Sequence, residues 1–155
     1  MRGIVLKGAS NTGKTQTLKC LIRLLMSDPN FKLFDCCKDF DRKIGDSVSD
    51  VWAMFCFHGV HIVITTMGDS PSDTDTFIKN HSLGVDIFIC ACHDTPWAQE
   101  KISKSFNKLN GDCVFIDKNV YKDKNDQKAC EKLNESEAKE LLETLKKHLE
   151  EILRH

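Results

Sequence analysis

Residues 8–15 read Gly-Ala-Ser-Asn-Thr-Gly-Lys-Thr and directly follow the apolar run Ile4, Val5 and Leu6. The stretch fits the pattern Gly-x-x-x-x-Gly-Lys-[Ser/Thr] at every fixed position, and the residues after it predict an amphipathic helix. Glycines allow the backbone to curl tightly, so several N–H groups converge at the positive end of a helix dipole. The sequence therefore predicts an anion-binding loop between a strand and a helix.

These residues resemble the Walker A motif of the P-loop NTPase superfamily. The resemblance implies that Lys14 reaches the β- and γ-phosphates as a catalytic residue and that the Thr15 hydroxyl ligates Mg²⁺. The alternative is a chance Gly-Lys-Thr in a loop, which the strand before it and the helix after it disfavour. The nucleotide-binding residues expected in the loop are Gly8, Ser10, Asn11, Thr12, Gly13, Lys14, Thr15 and Gln16.

Length and composition predict one domain, residues 1–155, of ordinary soluble character, with 41% hydrophobic and 29% charged residues. The net charge of -1 argues against a nucleic-acid or anionic-membrane surface, so neither partner is expected. No apolar run approaches the ~20 residues that span a bilayer. The first residues lead straight into a strand and leave no room for a signal peptide, so we expect a cytoplasmic protein.

The eight cysteines are not arranged like a disulfide framework. Several of them, such as Cys90 and Cys113, lie in apolar runs, where a thiol behaves as a small hydrophobe. The alternative is a zinc site, but no Cys-x-x-Cys pair exists. Its candidate ligands are Cys36, Cys37, Cys90, Cys92 and His93. Reduced, mostly buried thiols are the favoured prediction.

Strands and helices alternate along the chain, which predicts an α/β fold. We expect the three-layer α/β/α arrangement of P-loop NTPases, with a mainly parallel sheet and one antiparallel hairpin strand. The predicted strands are Gly3 to Lys7, Phe31 to Cys36, the hairpin pair Val51 to Phe57 and Val60 to Thr66, Val85 to Cys92, and Cys113 to Ile116. The predicted helices are Gly13 to Met26, Pro71 to about His81, Pro96 to before Gly111, and a long C-terminal one.

Capping residues locate the helix starts. Ser70 and Thr95 each precede a proline, which predicts an N-cap followed by the first helical residue. The spacing of Asn134 and Glu137 predicts a capping pair for the C-terminal helix. The helix that follows Thr95 is expected to carry four residues inward, namely Trp97, Ile102, Phe106 and Leu109.

Two polar segments interrupt this pattern. Lys38 to Asp50 is predicted to be an unusually long loop, and Asp117 to Glu131 is predicted to be either a mobile flap or a solvated loop with a short helix. Long loops in compact domains are often functional.

A second group of candidate residues follows two apolar strands. Asp69 is the predicted Mg²⁺ ligand and catalytic carboxylate, and Gly68 allows a backbone N–H to approach the γ-phosphate. His93 is a candidate contact for the nucleotide or a second substrate. The alternatives are a Gly68-Asp69 turn that only caps the next helix and a His93 that only starts one. Because ligands gather at the carboxyl ends of parallel strands, these residues are expected to meet the glycine-rich loop.

The element order resembles the layout of small GTPases, but neither the Asp-x-x-Gly sensor nor the Asn-Lys-x-Asp guanine motif is present. ATP is therefore expected rather than GTP. Nucleotide kinases share the loop but usually close an arginine-bearing lid. The chain has only four arginines, and only Arg42 lies in a loop expected to face the site. The whole chain also resembles small bacterial single-domain P-loop ATP-binding proteins of unassigned function, through the loop, the Gly-Asp after the hairpin and a strand ending in Cys-Ala.

The resemblance implies Mg²⁺-dependent nucleotide binding. We expect slow hydrolysis of ATP and a nucleotide-dependent switch with a protein partner, because a γ-phosphate can order the two long polar segments and the arginines of a kinase lid are scarce. Two alternatives remain open. One is a kinase that transfers the γ-phosphate to a small-molecule acceptor, and the other is a nucleotide-sensing module without turnover.

Overall fold

The computed structural model describes residues 1–155 and contains six strands and five helices. In chain order these are β1 (Arg2–Lys7), α1 (Lys14–Ser27), β2 (Lys32–Cys36), α2 (Phe40–Gly45), β3 (Trp52–Phe57), β4 (Val60–Thr65), α3 (Pro71–His81), β5 (Ile87–Cys92), α4 (Pro96–Asn107), β6 (Asp112–Asp117) and α5 (Gln127–Leu153).

The six strands form one mostly parallel sheet in the order β2-β3-β4-β5-β1-β6. The strands β4, β5, β1 and β6 are parallel neighbours, and β3 is antiparallel to both β2 and β4. The β3–β4 turn uses His58 and Gly59 with φ of 47° and 84°, the left-handed geometry of a two-residue hairpin. The predicted α/β class with a mainly parallel sheet is confirmed.

Alternate residues of each central strand enter two different cores, because successive side chains point to opposite faces of a sheet. In β1, Ile4 and Leu6 pack with α1 and α5, whereas Val5 packs with α3 and α4. Both faces of the sheet are thus covered by helices, which explains the continuous apolar runs of β1 and β5. Because β4, β5 and β1 are parallel neighbours, their carboxyl ends lie side by side.

Two of the predicted helix starts are confirmed by side-chain caps. The Ser70 Oγ accepts a hydrogen bond from the Asp73 N–H at 3.2 Å, and the Thr95 Oγ1 accepts one from the Ala98 N–H at 3.2 Å. The prediction for Trp97 was wrong, because this side chain is 63% exposed while Phe106 of the same helix is fully buried.

The prediction that Lys38 to Asp50 is only a loop was wrong, because it contains α2. Phe40 is buried in the larger core and Ile44 packs against that core one turn later. Two apolar residues at i and i+4 form a helical face too short for a sequence pattern to reveal.

The predicted capping pair of the last helix was also wrong. Asp126 is the N-cap of α5, and its side chain accepts a hydrogen bond from the Ala129 N–H. Asn134 and Glu137 lie about two and three turns inside α5, where both are buried among polar partners. None of the five helices combines the length and the apolar character needed to cross a bilayer.

Candidate functional site

Residues 8–15, which we call the glycine loop, connect the end of β1 to the start of α1. The Gly8 N–H donates to the Cys92 carbonyl at 3.1 Å, which fastens the loop to the end of β5. Within the loop the Thr12 hydroxyl donates to the Ala9 carbonyl at 2.8 Å. Gly13 has a φ of 88°, and a Cβ at this position would collide with the hydroxyl of Tyr121. Only glycine fits this position.

The backbone donors of the glycine loop are unpaired. None of the N–H groups of residues 9–16 donates a hydrogen bond to another group of the protein. The N-cap residues of α3, α4 and α5 each accept a hydrogen bond through their side chains. The N-cap residue of α1 is Gly13, which has no side chain to do so. A row of free N–H groups at the positive end of a 14-residue helix attracts an anion.

Lys14 adds a buried positive charge to these donors. Its ammonium donates to the carbonyls of Gly8 and Ala9 at 2.9 and 2.8 Å, and the residue is 6% exposed. Burial lowers the pKa of Lys14, and the carboxylate of Asp69 is the main group opposing that shift. A buried cation that neutral carbonyls solvate favours an incoming anion.

The glycine loop forms one wall of a cavity of about 300 Å³, hereafter the loop cavity. Two carboxylates, Asp50 and Asp69, line it together with the loop and α1. The Asp69 side chain is 93% exposed. Asp69 follows β4, and only β5 lies between β4 and β1 in the sheet. The full lining consists of Asn11, Thr12, Gly13, Lys14, Thr15, Gln16, Ser47, Val48, Asp50 and Asp69.

Asp50 was not predicted from the sequence. The Thr66 hydroxyl donates to its Oδ1 at 2.8 Å, while the Val51 N–H donates to the Thr66 Oγ1 at 3.0 Å. This pair of bonds fixes the carboxylate beside the cavity. The sequence signal was weak, since a single aspartate before a strand and a threonine at the end of another are common.

The turn that carries Asp69 is supported from β5. The His93 Nε2 lies 3.0 Å from the Asp69 carbonyl oxygen, which only accepts, so this ring nitrogen carries the proton. Gly68 packs on Ala91, and a Cβ at Gly68 would lie 2.7 Å from the Ala91 Cβ. Both residues therefore position Asp69 from outside the cavity.

The structure thus brings most of the predicted residues together. Seven of them line the loop cavity, namely Asn11, Thr12, Gly13, Lys14, Thr15, Gln16 and Asp69. Four others lie outside its lining, namely Gly8, Ser10, Gly68 and His93.

No group of three or more His, Cys, Asp and Glu side chains is placed to hold a metal ion by itself. The loop cavity nevertheless offers oxygen ligands from Thr15, Asp50 and Asp69. Proteins usually hold Mg²⁺ through one or two carboxylates together with phosphates and waters. The residues present therefore fit a magnesium ion that arrives with a polyphosphate.

A second polar group, unpredicted from the sequence, joins the start of α1 to α5. The hydroxyls of Thr17 and Tyr121 both donate to the Asn134 Oδ1, at 3.2 and 2.9 Å. Burial raises the pKa of Tyr121, so its hydroxyl keeps the proton that it donates. These bonds fix the chain around residue 121 against Gly13.

No protein-family model, curated protein or solved structure matches this chain.

Proposed function

We propose that the protein binds a nucleoside triphosphate with Mg²⁺ at the glycine loop and hydrolyses it slowly, with ATP preferred to GTP. The observation that carries this proposal is the row of unpaired N–H groups of residues 9–16 beside the buried Lys14 ammonium. Together they provide several donors and one cation at a single point, which suits a phosphate group. This arrangement is the one expected of a P-loop NTPase.

The division of labour follows from where the residues lie. The N–H groups and Lys14 hold the phosphates, and Lys14 exchanges the carbonyls of Gly8 and Ala9 for phosphate oxygens. Thr15, Asp50 and Asp69 supply oxygen ligands for the metal on the open side of the cavity. Magnesium, when bound, neutralises charge that develops on the phosphates. His93 keeps Asp69 in place through its carbonyl.

The placement of the arginines disfavours a kinase with an arginine-bearing lid and predicts slow turnover. No arginine lines the loop cavity, and Arg42 instead lies near Asp39 and Asp46 in weak contacts of 3.9 and 4.0 Å. An arginine at the transferring phosphate is worth about 10³–10⁵ in rate. Without one, turnover by the isolated chain is expected to be slow, and a protein partner is the natural source of the missing charge.

A binding experiment tests the first half of the proposal. Lys14→Ala removes the buried cation and is expected to weaken binding of Mg²⁺-ATP at least about 30-fold, measured by isothermal titration calorimetry. The matched control is Lys104→Ala, since Lys104 is an exposed lysine of α4 that pairs with Glu100. Equal affinity in wild type and a folded Lys14→Ala protein would contradict the proposal.

Phosphate release tests the second half. Asp69→Asn and Asp50→Asn are each expected to slow hydrolysis by about 100-fold while retaining much of the ATP affinity, because the metal acts most strongly on charge that develops during the reaction. Asp94→Asn is the control, as Asp94 lies near Lys14 but does not line the cavity. Turnover equal to wild type in both variants would show that neither carboxylate takes part in hydrolysis. A wild type that binds Mg²⁺-ATP and releases no phosphate would instead match the sensing alternative.

A further inference from the structure

A second cavity adjoins the loop cavity. It has a volume of about 340 Å³, lies between α1 and the first turns of α5, and is called the α1/α5 cavity below. The two cavities share Gln16 and Ser47, whose contact is a 3.3 Å hydrogen bond from the Gln16 Nε2 to the Ser47 carbonyl. A molecule anchored in the loop cavity therefore has one adjoining space into which it extends.

The lining of the α1/α5 cavity combines one aromatic ring with amides and carboxylates. The residues that carry these groups are Tyr121, Gln16, Gln127, Asn134, Glu131 and Glu135. The aromatic ring is that of Tyr121, which is fixed through the Asn134 amide, and the Lys118 ammonium lies 4.8 Å from its centroid. A ring held in place is well suited to stack on a planar group, because little side-chain freedom is then lost on binding.

The carboxylates restrict the chemistry of such a planar group. Glu131 and Glu135 only accept hydrogen bonds, and Glu131 receives one from the Gln127 Nε2 at 3.1 Å. A ligand edge facing them must donate, as the exocyclic amino group of a purine base does. Arg23 also lines the cavity, and its Nη1 donates to the Ile44 carbonyl at 2.9 Å.

We propose that the α1/α5 cavity holds the nucleoside of the bound nucleotide, with a purine base against Tyr121 and its amino group toward Glu131 and Glu135. This inference rests on the proposed function, since it requires the phosphates in the loop cavity. It adds where the nucleoside lies and which residues contact the base, so that an inorganic polyphosphate makes only part of the contacts.

Two probes separate the nucleoside from the phosphates: Mg²⁺-ATP and Mg²⁺-tripolyphosphate, each titrated calorimetrically into the full chain. Tyr121→Ala is expected to weaken the binding of ATP about 10-fold to 100-fold, which is the loss that removal of a stacking ring causes. The affinity for tripolyphosphate should stay within about twofold of wild type. Trp97→Ala is the matched control, because Trp97 is an exposed aromatic residue on α4. Tyr121→Phe keeps the ring and is expected to keep most of the ATP affinity.

A second variant covers the case in which Tyr121→Ala disturbs Gly13. Cys130→Phe places a bulky ring in the wall of the α1/α5 cavity, away from the glycine loop. It is expected to lower the affinity for ATP and to leave the affinity for tripolyphosphate unchanged. ATP-selective losses support the nucleoside site. Unchanged ATP affinity in Cys130→Phe, or equal losses of both probes in both variants, would overturn it while leaving phosphate binding intact. Binding of neither probe by the wild type would overturn the proposed function itself.

Discussion

Two polar segments contact α1, and they are fastened in different ways. Residues 38–50 are held by Lys19, whose buried ammonium donates to the carbonyls of Lys43 and Asp46, both at 2.8 Å. The charged partner of Lys19 is the Asp46 carboxylate, which is 27% exposed. Residues 117–126 are instead held by Lys118 and Glu137, which form a 2.6 Å ion pair with exposures of 0% and 5%.

The two segments differ in the energetic cost of removing the lysine that holds each of them. If Lys19 is lost, the partly exposed Asp46 carboxylate keeps its hydrogen bonds from Val48 and Ser49, and the remaining cost is that of the two unpaired carbonyls. If Lys118 is lost, Glu137 stays buried with no cation, and an uncompensated buried charge is among the costliest defects in a protein. The segment that carries Tyr121 is therefore the firmer one, and the segment that carries Ser47 and Asp50 is the more easily released.

The largest effect is expected from Lys118→Met. This change should lower the free energy of unfolding by about 3–5 kcal/mol, because it leaves the buried Glu137 carboxylate without a cation. Urea denaturation followed by circular dichroism measures it. The double variant Lys118→Met/Glu137→Leu should recover much of the loss, since it removes the stranded charge. A single variant within about 1 kcal/mol of wild type would show that the pair is no firmer than the Lys19 contact.

Lys19→Met is expected to lower the free energy of unfolding by a smaller amount, about 1–3 kcal/mol. The substitution leaves two carbonyls without a donor, but it does not leave an unpaired charge in the interior. Hydrogen exchange should locate the change in residues 38–50 and leave residues 117–126 protected. Arg23→Met is the control on the same helix, as Arg23 is exposed and donates to the Ile44 carbonyl of the same segment. If exchange accelerates equally in both segments, the two fastenings are coupled and the contrast between them fails.

Local patterns were enough to predict the strands, most of the helices and the glycine loop. The caps at Ser70 and Thr95 bond to residues three positions away, so their sequence signature is complete. The same reasoning failed at Asn134 and Glu137. Their spacing fits a capping pair, but their partners are Thr17 and Lys118, which lie far away in the chain.

The candidate site was predictable where the chemistry is contiguous in the sequence and obscure where it is assembled by folding. Lys14 belongs to a motif, whereas Asp50 reaches the cavity only because Thr66 of another segment binds it. Lys19 gave no signal either, because a lysine within an amphipathic helix is usually solvated, and its burial depends on the carbonyls at the end of α2.

The smallest expected effect is an acid sensitivity of residues 38–50. Hydrogen bonds from Ser49, followed by those from Val48 and Lys19, hold the pKa of Asp46 well below its usual range. A depressed carboxyl pKa means that the ionised form stabilises the fold. That contribution is complete above the unfolded pKa of about 3.9 and fades as the pH falls toward the folded value.

The test compares wild type with Asp46→Asn, which keeps the size of the side chain and removes its charge. The difference in free energy of unfolding should be larger at about pH 7 than at about pH 3, where Asp46 in the unfolded wild type is protonated. Asp41→Asn is the control, since Asp41 is an exposed carboxylate of α2. A difference that stays constant over this range would mean that the Asp46 charge does not hold the segment. The Lys43 and Asp46 carbonyls would then be the only acceptors through which Lys19 does so.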